Sequence, residues 1–250
     1  MDQVSSFTVS VSDGVNPPVE RIFSITTTSA ASGTLQFTAD GSFTVPPGVF
    51  SVNIDWLIGA GAGGGAGTQI GSGGGGGGGG SGGWQQNVPI ACAPGDVLTI
   101  HIGLPGSGNL PGNSDHNPVD GNGNPGGDTT ITHGSDVYTA SGGQGGSGSP
   151  NVNHGSLTAP GGLSGSPNGN AGQTGPAGTS DFASTPGAPG GAGPLAGAAG
   201  GAGGNAGPGT TGQDGTGYGS GGGGGGSYDR SGPSWFVGGS GVQGFVQISY

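Results

Sequence analysis

The stretch NIDWLIGAGAGGGAG, residues 53–67, carries an alternating apolar segment straight into Gly59-Ala60-Gly61-Ala62-Gly63-Gly64. A strand ending in Gly-x-Gly-x-x-Gly is the mark of a dinucleotide cradle, where a helix N-terminus follows and meets the pyrophosphate. Here the continuation is GAGAGGGAGTQIGSGGGGGGGGSGG, residues 59–83. At about 1 kcal/mol per glycine, that cannot be a helix. The acidic residue expected about 20 positions on is missing too, because the next one is Asp96. No lysine exists to complete a phosphate loop. The glycines serve another purpose.

Their number defines the problem. The chain holds 70 glycines and 19 prolines in 250 residues, and its formal net charge is −11. Leu, Ile, Val and Phe together make 42 residues, a composition that ordinarily fails to fold. Only nine of those lie between 105 and 234. An ordinary hydrophobic core is therefore available at the two ends of the chain and not in its middle. The middle must be held by backbone hydrogen bonds. Arg21 and Arg230 are the only fixed cations, which argues against nucleic acid and against anionic membrane as partners. No apolar run reaches the length of a membrane-spanning helix, so membrane insertion is not expected either. Met1-Asp2-Gln3 opens no signal peptide. The lone Cys92, in VPIACAPGD, reads as a small packed residue.

Residues 1–28 read as two strands, SSFTVSVSDG and ERIFSITTT, joined by the turn chemistry of DGVNPPVE. Two strands alone are marginal in water. Residues 34–58 add further strands; strict alternation sets Phe50, Val52, Ile54, Trp56 and Ile58 on one face and Ser51, Asn53, Asp55 and Leu57 on the other. More strands are expected from Trp84 to Cys92, over 95–103, as a hairpin within 126–146, and at the end in GVQGFVQISY.

Between them run glycine tracts with local triplets: Gly187, Gly190, Gly193, then Gly197, Gly200, Gly203, then Gly209, Gly212, Gly215. The phase slips after every three, whereas collagen needs an unbroken period. The alternative is a bundle of short polyproline-II-like strands with three residues per turn. That conformation has no internal hydrogen bonds, so buried N–H and C=O groups must pair with neighbours. Glycine at one position in three gives one closely approachable face. Glycine at every position, as in 73–80, gives a strand that can be central. A flexible linker is the competing reading of such tracts; the return to an apolar strand after each one counts against it. The expected fold class is mainly β with a non-regular polyglycine-II bundle and almost no α-helix.

Catalytic chemistry is hard to find. GGSGSP and GLSGSP approach Gly-x-Ser-x-Gly, but glycine–serine richness generates such pieces by chance. His101, His116, His133 and His154 share no ligand spacing, and His101 alternates as a strand residue. SDHNPVDGNGNPGGD groups Asp115, Asp120 and Asp128; a solvated loop is the plain reading, and a structural Ca²⁺ the alternative, since oxygen-rich loops suit hard cations. No cofactor and no enzyme activity are expected.

Two resemblances add to this. FTVSVSDG followed by IFSITTT resembles the last hairpin of a cadherin-like or immunoglobulin-like module, which implies a processed or artificial start and divides the chain into 1–33 and 34–250. FTADGSFTVPPGVFSVNIDWLIGAGAGGG, GGGGGGGGSGGWQQNVPIACAPGDVLTIHIG, GGDTTITHGSDVYTASGGQGG and the closing GGSGVQGFVQISY, in that order, resemble the glycine-rich domain at the tips of bacteriophage tail fibres. The same succession is similar to phage adhesins that build a polyglycine-II sandwich and meet outer-surface receptors through loops at one end. The proline-rich 105–125 and 147–218 insertions depart from that pattern.

The resemblance implies adhesion at the distal end of a virion tail fibre. The implied partners are a bacterial outer-surface protein or polysaccharide and the other fibre chains, a homotrimer being expected for the parent fibre. Recognition belongs in loops, and aromatic and Arg anchors are favoured in binding hot spots. The candidate contacts are His116, Asn117, Asn151, His154, Phe182, Tyr218, Tyr228 and Arg230. Trp84, Trp235 and Phe236 are expected in small clusters inside the bundle. A purely structural cap or filament subunit is the competing function. Ice binding is a third, which needs a flat Ala/Thr face; Pro189, Pro194 and Asn205 break the Ala-rich tract here.

Overall fold

A computed structural model of the chain describes residues 3–27, 30–67, 74–109, 121–149, 159–170, 185–206, 209–227 and 236–250. Among these residues there are strands and extended segments and no helix, so the fold is mainly β.

β1 (Gln3–Val11) and β2 (Val19–Thr27) form an antiparallel hairpin that, among the described residues, pairs with no other strand. Its turn is closed by Asp13, whose carboxylate accepts the N–H groups of Val15 and Asn16. Because Phe7 faces Phe23 and Val11 faces Val19 in this register, one side is largely apolar, with Arg21 opposite Val9 between them, and the rings of Phe7 and Phe23 stack at 5.6 Å. That side stays exposed, with Phe7 at 50% and Val11 at 68%.

The core lies between two sheets. β3 (Thr34–Phe37), β4 (Gly41–Thr44), β5 (Ser51–Ile58), β6 (Trp84–Gln85), β7 (Val88–Ala91), β8 (Val97–His101), β9 (Thr129–His133), β10 (Asp136–Ala140) and β11 (Phe245–Ser249) supply them. One sheet has the order β10-β9-β8-β4; the other runs β3-β11-β5-β6, with β7 also on β5. Alternation buries Leu98 and Ile100 of β8 against Val52 and Ile54 of β5 and Val246 and Ile248 of β11, among others. Cys92 is half-buried at the rim, and burial pushes its thiol pKa up, with Asp96 adding to the effect. The strand expected over 84–92 is broken into β6 and β7 at Asn87, which takes a φ of 56°.

Alternation fails within β5. The register of β11 against β5 shifts between Gln247, opposite Trp56, and Ile248, opposite Ile54, so Asp55 is an extra residue. This β-bulge moves Leu57 into the core and leaves Trp56 outside it. Ile58 is buried at the end of β5, outside that core cluster. Phe50 is 68% exposed. The single apolar face expected from strict alternation is thus corrected: a bulge adds one residue to one strand and inverts the phase beyond it.

The glycine tracts continue the sandwich strands as a bundle. Eleven extended segments, 59–67, 74–83, 102–109, 121–128, 141–149, 159–165, 185–193, 198–206, 209–216, 219–227 and 236–244, exchange backbone hydrogen bonds sideways. In 59–67 the donors rotate with a period of three. Gly59 N donates to Gly83 O at 2.9 Å, Ala60 N to Gly127 O at 3.0 Å and Gly61 N to Val242 O at 2.8 Å, and the cycle repeats to Gly67. Its carbonyls accept from three further segments, through Gly106, Gly143 and Gly222. The segment therefore has six neighbours, the count of a hexagonal array. Segment 219–227 likewise has six, and 74–83 has five among the described residues. These three contain nothing larger than Ala or Ser. Segments with bulkier residues, such as 102–109 and 159–165, lie at the margin and make fewer bonds. A three-fold screw sends successive N–H groups in three directions, and only side-chain-free strands come close enough for all of them to be met.

The arrangement also excludes a phosphate cradle. All nine amides from Gly59 to Gly67 donate to carbonyls of this chain.

Candidate binding surfaces

The direction of each bundle segment decides where its connections fall. Segment 59–67 leaves β5 and 74–83 returns into β6; 102–109 leaves β8 and 121–128 returns into β9. Segment 141–149 leaves β10, and 236–244 enters β11. The ends remote from the sandwich are tied to one another. Gly67 N donates to Phe236 O, Ala66 N to Gly121 O, Ser149 N to Ala66 O and Ser227 N to Thr185 O. Gly74 N donates to Ser149 Oγ at 3.0 Å. The residues that flank 68–73, 110–120, 150–158 and 228–235, together with Thr185 after 171–184, thus gather at one end of the bundle.

Of the candidate contact residues, His116, Asn117, Asn151, His154, Phe182, Tyr228 and Arg230 lie outside the described residues, as do Asp115, Asp120 and Trp235. Their flanks converge as above, except that for Phe182, in 171–184, only Thr185 lies there, while Asn170 is held at the sandwich end by Ser81 and Ala192. Tyr218 is placed elsewhere. It sits at the opposite end, beside the sandwich, with its ring stacked on Phe245 at 4.5 Å and 13°. Asp128, grouped with Asp115 and Asp120 by sequence, is also at the sandwich end. Its Oδ1 accepts the Gly142 N–H at 2.9 Å, completing the pairing of 121–128 with 141–149. Asn122 serves Gly148 in the same way at 2.8 Å, and Asp214 serves Ser240 at 2.7 Å. Side-chain oxygens here finish a backbone lattice. Among the described residues no group of three His, Cys, Asp or Glu side chains is placed to hold a metal. Trp84 meets Trp56 outside the bundle, whereas Phe236 is half-buried within it.

Two surfaces at the sandwich end escaped the sequence reading. One is a cleft of about 330 Å³ lined by Thr38, Ala39, Asp40, His101, Leu104 and Gln243, among others. His101 Nδ1 lies 3.0 Å from Asp40 Oδ2, and Asp40 Oδ1 accepts the Ile102 N–H at 2.7 Å. The Ile102 amide and then His101 hold the Asp40 carboxyl below its usual range. An equivalent pair, His133 and Asp96 at 3.0 Å, ties the other end of β8. No spacing pairs these residues in the sequence, because 61 positions separate His101 from Asp40.

The other surface is the outer face of the five-stranded sheet. The bulge brings Asp55 and Trp56 onto it side by side. Asp55 Oδ1 accepts from Asn53 Nδ2 at 2.7 Å and from Ser249 Oγ at 2.8 Å, and Oδ2 accepts from Gln247 Nε2 at 3.2 Å. Gln247 Oε1 accepts from Gln36 Nε2 at 3.0 Å. Partial burial pushes the Asp55 pKa up, but these three donors outweigh it and hold the group below the ordinary value. The half-buried rings of Trp56 and Trp84 meet at 5.7 Å and 53°.

A sandwich whose strands run on into a hydrogen-bonded glycine bundle defines a glycine-rich β protein. Residues 37–250 match the profile of the family described as the glycine-rich domain, and the chain belongs to that family. A comparison with curated proteins finds no match.

Proposed function

We propose that this glycine-rich domain is an adhesin of the bacteriophage tail-fibre type. In this reading it stands at the distal end of the fibre in the virion. It holds a bacterial outer-surface protein or polysaccharide through the connections at the bundle end remote from the sandwich. One observation supports this: the residues bracketing 68–73, 110–120, 150–158 and 228–235 converge there. A lattice of backbone bonds fixes those brackets whatever residues lie between them, which suits recognition sequences that must vary. Fluorescently labelled protein is expected to stain a subset of bacterial strains and to compete with phage adsorption on them. Replacing 150–158 with a glycine–serine loop should abolish staining without lowering the melting temperature. Absence of staining on every strain that supports adsorption of the parent phage overturns the reading.

A second reading, a structural cap or filament subunit, is favoured by the hairpin β1–β2, with its exposed, largely apolar side and edges unpaired among the described residues. Free edges invite strand addition from another chain. Light scattering separates the two: filaments that grow with concentration support the structural subunit, and a discrete monomer or trimer supports the adhesin.

A further inference from the structure

We infer that the outer face of the five-stranded sheet is a second binding surface, for an uncharged hexopyranose glycan. Three features carry it. The first is the bulge at Asp55. A regular strand would send Asp55 and Trp56 to opposite sides of the sheet; here the extra residue turns both outward. Bulges that re-aim a side chain are over-represented next to functional sites. The second is the ring pair. Trp56 and Trp84 are half-buried and belong to no part of the sandwich core. Core packing therefore does not account for two of the three tryptophans of a chain so poor in aromatics. An aromatic face beside polar groups is the surface on which the C–H face of a pyranose ring rests.

The third feature is polarity. Across neighbouring strands the register aligns Gln36, Gln247 and Trp56, and beside them Ser249 and Asn53. Amides and hydroxyls fixed by hydrogen bonds present donors and acceptors in preset directions, and the Asp55 carboxylate is a strong acceptor for sugar hydroxyls. Asp55 is the only charged residue in this cluster, and the chain carries −11 overall. Charge complementarity thus disfavours acidic polymers. Beyond Ile58 and Phe245, which the turn at Tyr218 covers, the row stays accessible: Gln36 is exposed and Asn53, Trp56 and Ser249 are partly so, which leaves room for a chain of sugars lying across it.

The test is affinity electrophoresis of the whole protein through gels holding dextran, hydroxyethyl cellulose or galactomannan, with polygalacturonate as the acidic control. At least one neutral polymer should retard the protein, and polygalacturonate should not. Trp84→Ala should weaken the retardation about tenfold, and Trp84→Phe should restore most of it. Gln36→Ala, at the exposed rim, should weaken it about threefold with the melting temperature unchanged; this variant decides the matter where Trp84→Ala fails to fold. Retardation by no neutral polymer overturns the inference. So does retardation that Gln36→Ala and a folded Trp84→Ala leave intact. Replacement of 150–158 should not alter it, so this surface and the bundle-end adhesin reading stand or fall separately.

Discussion

At Gly76 and Gly77 an added methyl group is the decisive probe. A Cβ on Gly76 would fall inside contact distance of the Gly65 carbonyl oxygen, and one on Gly77 inside that of the Pro160 carbonyl oxygen. Both neighbours are backbone and cannot rotate away. In a flexible tract alanine would stabilise by about 0.4–1 kcal/mol, through the unfolded chain. In this lattice each substitution should instead cost about 1–3 kcal/mol through overpacking. Thermal unfolding of Gly76→Ala with Gly77→Ala should show a melting temperature lower by roughly 2–4 °C per kcal/mol. A rise would mean that the segment is not packed. Acid is the second probe at this scale. Asp40, Asp55 and Asp96 all have pKa values below the ordinary aspartate value. For Asp96 the main cause is the Ala93 N–H, with His133 next. A depressed folded pKa contributes stability above the unfolded value and loses it as pH falls through the folded one. The melting temperature should therefore decline as pH drops below about 4. Asp96→Asn, which keeps the shape but cannot titrate, should show a shallower decline.

Among the elements, β5 shows how one residue resets a strand. Val52 and Ile54 point inward as alternation predicts, but the bulge at Asp55 sends Leu57 inward and Trp56 outward. Nothing in SVNIDWLI marks the extra residue, because a bulge is a property of the pair and its partner β11 lies nearly 200 residues away. The hairpin β1–β2 is the reverse case. Its strands and turn were legible from Phe7, Val9, Phe23 and Asp13, because both its partners are local. Among the described residues it pairs with no other strand, so removal of residues 1–29 should leave the melting temperature of the remainder within about 2 °C, as for a change far from the packed structure. The pair that closes the sandwich, Gly33 N to Tyr250 O and Tyr250 N to Gly33 O, stays in place. A large drop in melting temperature would show that the hairpin supports the sandwich in a way its pairing does not reveal.

For the molecule as a whole, composition and order went far. Nine Leu, Ile, Val or Phe residues over 105–234 exclude an ordinary core there. The three-residue glycine phase points to a polyproline-II bundle, because only that geometry repeats every three residues and leaves its N–H groups for neighbours. The tract expected to be central, 73–80, does have strands on most sides over its described residues 74–80. Which other segments join it inside was decided by packing: among the described residues 59–67 and 219–227, far apart in the chain, are the two with six neighbours. The candidate sites divide in the same way. Tyr218 reads as a loop residue in GTGYGSG, yet it is stacked on Phe245, because its turn lies at the sandwich end. The sequence by itself determined the materials: a small apolar core, glycine in place of side chains, and almost no positive charge. Tertiary structure alone decided which end each turn faces, which histidine meets which aspartate, and which tryptophan leaves the core. Glycine carries no side chain to specify a partner, so lateral pairing follows only once every N–H in the bundle is satisfied together.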